Sequence, residues 1–293
     1  MQSWFYVPVG NRSLIYAIDW SALSWSISTE WFFYFLYPGL ALIVLRARRP
    51  WLTIFGAGLW CVLWTTLSTG LYDCSGQIDA WAVGHFGPIA GAAEHPQDSF
   101  VRWLLYFSPY LRIGEFVLGC FTAQLYVQLR ERKIGAWENR VGSAAFFAAA
   151  ASVLVVTFVE YSPEVGMNVF RKMSQNFALA PSAAALIFCA ARYRNLASQL
   201  LNSRHAIMLG DASYSIYLLH FGVLKIVGWL AGSHGALIDV VELAATMAAI
   251  IVISLLLYAG FEAPARRWLR RWWLDRVAPP RSSARVARSK LAS

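Results

Sequence analysis

The sequence predicts an all-α fold, a polytopic transmembrane bundle of about seven spans with the N-terminus outside and the C-terminus inside. Three observations predict it. Of 293 residues, 58% are apolar and only 14% charged, with a mean hydropathy of +0.48, against about 25% charged in soluble domains. The apolar residues are gathered into seven runs, each near the roughly 20 residues a membrane helix needs. The basic residues fall between those runs, mostly on alternate connections.

The runs, read in order, are 25–45, 51–69, 104–128, 142–160, 174–191, 207–230 and 240–260. Each is too long for a buried strand, and polar residues, Pro or Gly punctuate every break. One set of connections holds Arg46, Arg48 and Arg49, then Arg130, Arg132, Lys133 and Arg140, then Arg192, Arg194 and Arg204. With the C-terminal arginines and Lys290, nineteen of the 25 basic residues lie on one side, which is therefore cytoplasmic. This explains the net charge of +9 as topology, with no solvated basic face for nucleic acid. Residues 276–293 read as a basic, disordered cytoplasmic tail held near anionic lipid. Seven spans with the C-terminus inside place Met1 outside, although residues 1–24 hold neither a signal peptide nor a leading span. The expectation is that further spans precede Met1.

The outer connection at 70–103 is rich in Gly and Pro and reads as an irregular, solvated cap. His85 and His95 there lack metal-ligand spacing, and Cys61, Cys74, Cys120 and Cys189 form neither a zinc pattern nor a disulfide framework. No metal site is expected.

Ionisable groups inside spans are functional candidates. Glu30 follows Trp25, Ser26, Ser28 and Thr29 at the polar start of an aromatic helix, and Ser26 shares its face. A carboxylate there suits general acid/base work or the gripping of a donor group; an interhelical hydrogen bond is the plainer alternative. Arg112 and Glu115 have the i,i+3 spacing of an ion pair, read as structural, with Gly114 and Gly119 allowing close helix packing. Ser213, Tyr214, Tyr217 and His220 make a polar stripe on one helix, which suits a wet cavity or substrate path. Lys225 reads as a snorkelling side chain.

These segments resemble the acyltransferase 3 family of integral membrane acyltransferases, which includes bacterial O-antigen and peptidoglycan O-acetylases. The resemblance rests on four blocks in order over about residues 2–273. Residues 24–38 read SWSISTEWFFYFLYP, and Pro109, Arg112, Glu115, Phe116 and Gly119 form the second block. Leu209, Gly210, Ser213, Tyr214, Ser215, Tyr217, Leu218 and His220 form the third, and Glu262, Pro264, Arg266 and Arg267 the fourth.

The resemblance implies about ten spans with both ends cytoplasmic, in a bacterial inner membrane, and residues 1–275 as one acyltransferase-like membrane domain. It implies acyl-CoA, commonly acetyl-CoA, as co-substrate with no bound cofactor. The acceptor is a hydroxyl of a cell-surface glycan or lipid-linked sugar. Glu30 and His220 are then the catalytic candidates, with Trp25, Ser26, Ser28, Ser213, Tyr214 and Tyr217 along the substrate path. The family's early Arg/Lys-x10-His motif, which supplies its presumed base, has no counterpart here. The chain therefore reads as lacking the first three spans, and its own activity as uncertain. A transporter or flippase, or a non-catalytic fragment, remain as alternatives.

Overall fold

Why the apolar runs become helices is a matter of backbone satisfaction: only a helix or a closed barrel pairs every peptide group away from water. The computed structural model describes residues 3–17, 23–161, 177–231 and 236–277. It divides into two compact units, Met1–Leu200 and Leu201–Ser293.

In the first unit, a small hairpin pairs β1 (Pro8–Val9) with β2 (Arg12–Ser13), and Gly10 turns it at φ 59°. Helix α1 (Ser24–Val44) carries Pro38 in its interior, a defect that membrane helices tolerate. Arg46–Arg49 interrupt the apolar run, and Pro50 then opens α2 (Pro50–Asp73) at its first turn. The expected irregular cap instead contains a helix, α3 (Ser75–Phe86). Its sequence, SGQIDAWAVGHF, has no proline, and Gly87 ends it at φ 85°. A π-turn (Trp103–Phe107) leads into α4 (Pro109–Leu129), again opened by proline. The remaining long helices are α5 (Ala136–Tyr161) and α6 (Ala180–Arg192).

Two cores hold this unit. Trp64, Tyr72, Leu105, Leu111, Leu118 and Phe177 pack between α2, α4 and the turn before α6. Tyr6, Ile15, Ala82, Ala90, Trp103 and Phe107 pack beneath the cap. Trp31, Phe35, Leu42 and Ile43 on α1 and Ile54, Phe55 and Val62 on α2 are exposed, as lipid-facing side chains are. The protein is an all-α membrane protein.

The second unit begins with α7 (Arg204–Asp211) and α8 (Ser213–Ala231), which meet at a 63° bend. Helix α9 (Ala236–Leu257) runs through a second π-turn (Tyr258–Glu262) into α10 (Ala263–Val277). The apolar runs are mostly helical where they are described, with breaks at Ser108 and Ala212. Among the described residues, four helices are long and apolar enough to cross a membrane: Ser24–Val44, Pro50–Asp73, Ala136–Val159 and Val241–Leu274. The bent pair makes a fifth if it counts as one span. The tail from 278 and residues 174–176 lie outside the described residues.

Candidate active site

Helices α1 and α4 run side by side and are tied at one end by glutamines. Gln128 Nε2 donates to the Ala47 carbonyl at 2.6 Å, and Thr53 Oγ1 donates to Gln128 Oε1 at 3.0 Å. At that end stand the arginines of the 46–49 connection. Between them runs a groove of about 720 Å³. Phe33, Tyr37, Ala41 and Val44 line it from α1, one helical stripe. The facing stripe on α4 runs from Arg112 and Glu115 through Phe116, Gly119 and Cys120 to Val127. Phe33 and Phe116 stack across it with ring centroids 4.8 Å apart.

The far end of the groove is charged. Arg112 Nη1 donates to Glu115 Oε1 at 2.8 Å, and Arg112 Nε donates to the Tyr106 carbonyl, presented by the π-turn, at 2.9 Å. The guanidinium lies 4.7 Å from the Tyr106 ring and 5.8 Å from the Trp25 ring. Trp25 is thereby joined to the ion pair. Glu30 sits one turn before Phe33 on α1; it is exposed and has no hydrogen-bond or ionic partner among the described residues.

The neighbouring serines have other work. Ser26 Oγ donates to the Leu23 carbonyl at 2.9 Å. Ser28 and Thr29 are buried: Ser28 Oγ accepts from the Ser3 amide at 3.3 Å, and Thr29 Oγ1 pairs with Ser3 Oγ at 3.0 Å. Trp4 Nε1 donates to the Ser28 carbonyl at 2.7 Å. Residues 3–4 are thus fastened to the start of α1.

The two glycines differ. A Cβ on Gly114 would meet Trp64 Nε1 at 2.0 Å, whereas one on Gly119 would meet nothing within 4 Å. Gly114 seats α4 against α2, where Trp64 Nε1 donates to the Leu111 carbonyl at 3.1 Å. Gly119 keeps the groove open.

In the second unit, His220 Nδ1 lies 2.5 Å from the Tyr217 carbonyl, with the two rings 5.6 Å apart. A carbonyl only accepts, so Nδ1 holds the proton, leaving Nε2 for a proton from elsewhere. Ser213 and Tyr214 are exposed on the same helix, and Lys225 lies 4.9 Å from the Phe221 ring. Buried Ser215 donates to Glu262 Oε2 at 2.6 Å, joining α8 to the second π-turn.

The groove and the ion pair lie within one continuous family match. The acyltransferase 3 family, described as an acyltransferase domain, matches residues 4–259. The chain belongs to the acyltransferase 3 family. It is a membrane acyltransferase in general kind. No curated protein and no solved structure matches it. Three of the four sequence blocks lie inside the match; the fourth, at 262–267, lies beyond it but is fastened to the third by the Ser215–Glu262 bond. Gln128, Thr53 and the Glu262 partner of Ser215 carry no spacing signal in sequence, because each partner comes from a distant helix.

Proposed function

We propose that the protein moves an acyl group, acetyl in the first instance, from acyl-CoA to a hydroxyl of a cell-surface glycan or lipid-linked sugar. Its place is the cytoplasmic membrane of a bacterium, with the arginine-rich connections inside. The observation that carries this reading is the groove between α1 and α4. From Val127 to Arg112 it extends about 22 Å at about 1.5 Å per residue, most of the roughly 30 Å hydrocarbon core. It begins beside the arginines of the 46–49 connection, which suit the phosphates of CoA. It ends at the Arg112–Glu115 pair.

Along such a groove the apolar walls cover the donor's arm and exclude water, and the polar end meets the thioester. In the transfer, the acceptor oxygen adds to the thioester carbonyl, the C–S bond breaks, and the CoA thiolate leaves. The acceptor's proton passes to a base, and donors stabilise the oxyanion. Glu30, a carboxylate one turn from the groove, orients the donor or takes the proton. His220 offers Nε2 for proton transfer on the polar stripe of α8, along which Tyr214 and Tyr217 lie.

The test is transfer of radiolabelled acetyl from acetyl-CoA into membrane glycan by membranes carrying the chain. Label should become covalently attached, and Glu30→Gln and Glu115→Gln should each lower the rate at least tenfold without loss of the folded protein. Movement of a glycan or of acetate across the membrane with no covalent label would mark a transporter instead. Full activity of both variants would overturn the assigned roles.

A further inference from the structure

A second cavity, of about 320 Å³, opens between the end of α2, the start of α3 and the turn before α4. Tyr72, Ser75, Asp79, Ser99, Arg102 and Tyr106 line it. Its volume is at the lower end of the about 300–1,000 Å³ typical of ligand sites.

Two charged side chains of opposite sign face this cavity without forming an ion pair with each other. Asp79 Oδ1 accepts from the Ala92 amide at 2.8 Å, which fixes the carboxylate and leaves its other oxygen without a partner among the described residues. Arg102 is held by the rings of Tyr106 and Phe107, 5.6 and 5.7 Å from its guanidinium carbon. Its Nε is buried and has no hydrogen-bond partner among the described residues. The two present a hydrogen-bonded carboxylate and a guanidinium to one cavity lined also by Tyr72 and Tyr106.

We propose that this cavity binds one hexopyranose unit of the acceptor. Vicinal sugar hydroxyls donate and accept at once, so one ring pairs both with the free Asp79 oxygen and with the part of Arg102 that lines the cavity. Its C–H face lies on a tyrosine ring. A simple anion would leave Asp79 repelled, and a simple cation would leave Arg102 so. The proposal rests on the reading of the protein as a glycan acyltransferase and on the 70–103 connection being outside. It names the face on which the acceptor is held.

The experiment uses the full chain in lipid nanodiscs, free of sugar-headed detergent, with methyl β-D-glucopyranoside as probe and no acyl donor. Saturation transferred from the protein to the sugar ring protons is recorded by NMR. Wild type should show transfer, and the double variant Asp79→Asn/Arg102→Gln should lose at least fivefold of it. Asparagine keeps the acceptor that the Ala92 amide uses. Gly76→Leu fills the cavity from α3, where an added Cβ meets nothing within 4 Å, and should lose as much while leaving the fold intact. No transfer in wild type, or equal transfer in all three proteins, overturns the sugar site. Sugar binding lost in the variants while wild type moves no acetyl group would sustain this site and overturn the acyltransferase reading. Acetyl transfer by wild type with equal saturation in every protein would do the reverse.

Discussion

Arg112 carries three roles at once: it pairs with Glu115, fixes the Tyr106 carbonyl and lies over Trp25. Its spacing to Glu115 is legible in the sequence because i,i+3 residues on any helix are neighbours. Its other partners are not, since they come from the π-turn and from α1. A double-mutant cycle of Arg112→Ala and Glu115→Ala should give a coupling of about 0.5–3 kcal/mol, read by denaturation in detergent; strict additivity would show the pair to be idle. The glycines make a sharper contrast. Gly114→Ala must displace Trp64, and its thermal unfolding should reveal a cost of about 1–3 kcal/mol, as for other overpacked sites. Gly119→Ala, with open space around it, should unfold no earlier than wild type, since alanine is the better helix former. Sequence alone reads both as small packing residues, because the difference lies in the position of one indole.

At the scale of elements, two π-turns deliver family residues to their places: Trp103–Phe107 presents the Tyr106 carbonyl to Arg112, and Tyr258–Glu262 presents Glu262 to Ser215. Such turns often mark functional sites. Three helices are clasped by Arg192, which ends α6, donates to the Leu129 carbonyl at the end of α4, and pairs with Glu138 in α5 at 2.8 Å. Arg192→Leu removes the donor that the Leu129 carbonyl and the Glu138 carboxylate share, and should lower the thermal midpoint. An unchanged midpoint would remove the clasp.

The cap shows most clearly what the sequence withholds. Its Gly and Pro content suggests irregular chain, but Asp98 binds the Ser13 amide at 2.6 Å and its carbonyl accepts from Tyr6 at 2.9 Å. These long-range contacts hold the end of the cap, at Asp98, against the N-terminal segment. Burial, and after it the Asp98 charge, pushes the Tyr6 phenol up to about 12. A phenol raised above its ordinary value near 10 supports folding below pH 10 and withdraws that support as pH climbs to about 12. The thermal midpoint should therefore fall between pH 10 and 12, and fall less in Tyr6→Phe; equal falls would show that Tyr6 does not report the cap.

For the whole molecule, hydrophobic runs and arginine placement are enough to read an all-α membrane chain, because the bilayer dictates both run length and charge sorting. The family is legible too, since each of its blocks is a short stretch of sequence, even where, as at Leu209–His220, it crosses a bend. The groove is not, because its two walls, the stripe of Phe33, Tyr37 and Ala41 and that of Phe116, Gly119 and Ala123, come from helices distant in sequence. Cys120 lies in the wall of that groove, while Cys74 is exposed on another part of the unit. Alkylation of the full chain in native membranes by N-ethylmaleimide, resolved by peptide mass spectrometry, reports on both thiols. With saturating acetyl-CoA, Cys120 should be alkylated at least tenfold more slowly and Cys74 at an unchanged rate. An unchanged rate at Cys120 would contradict a donor in the groove.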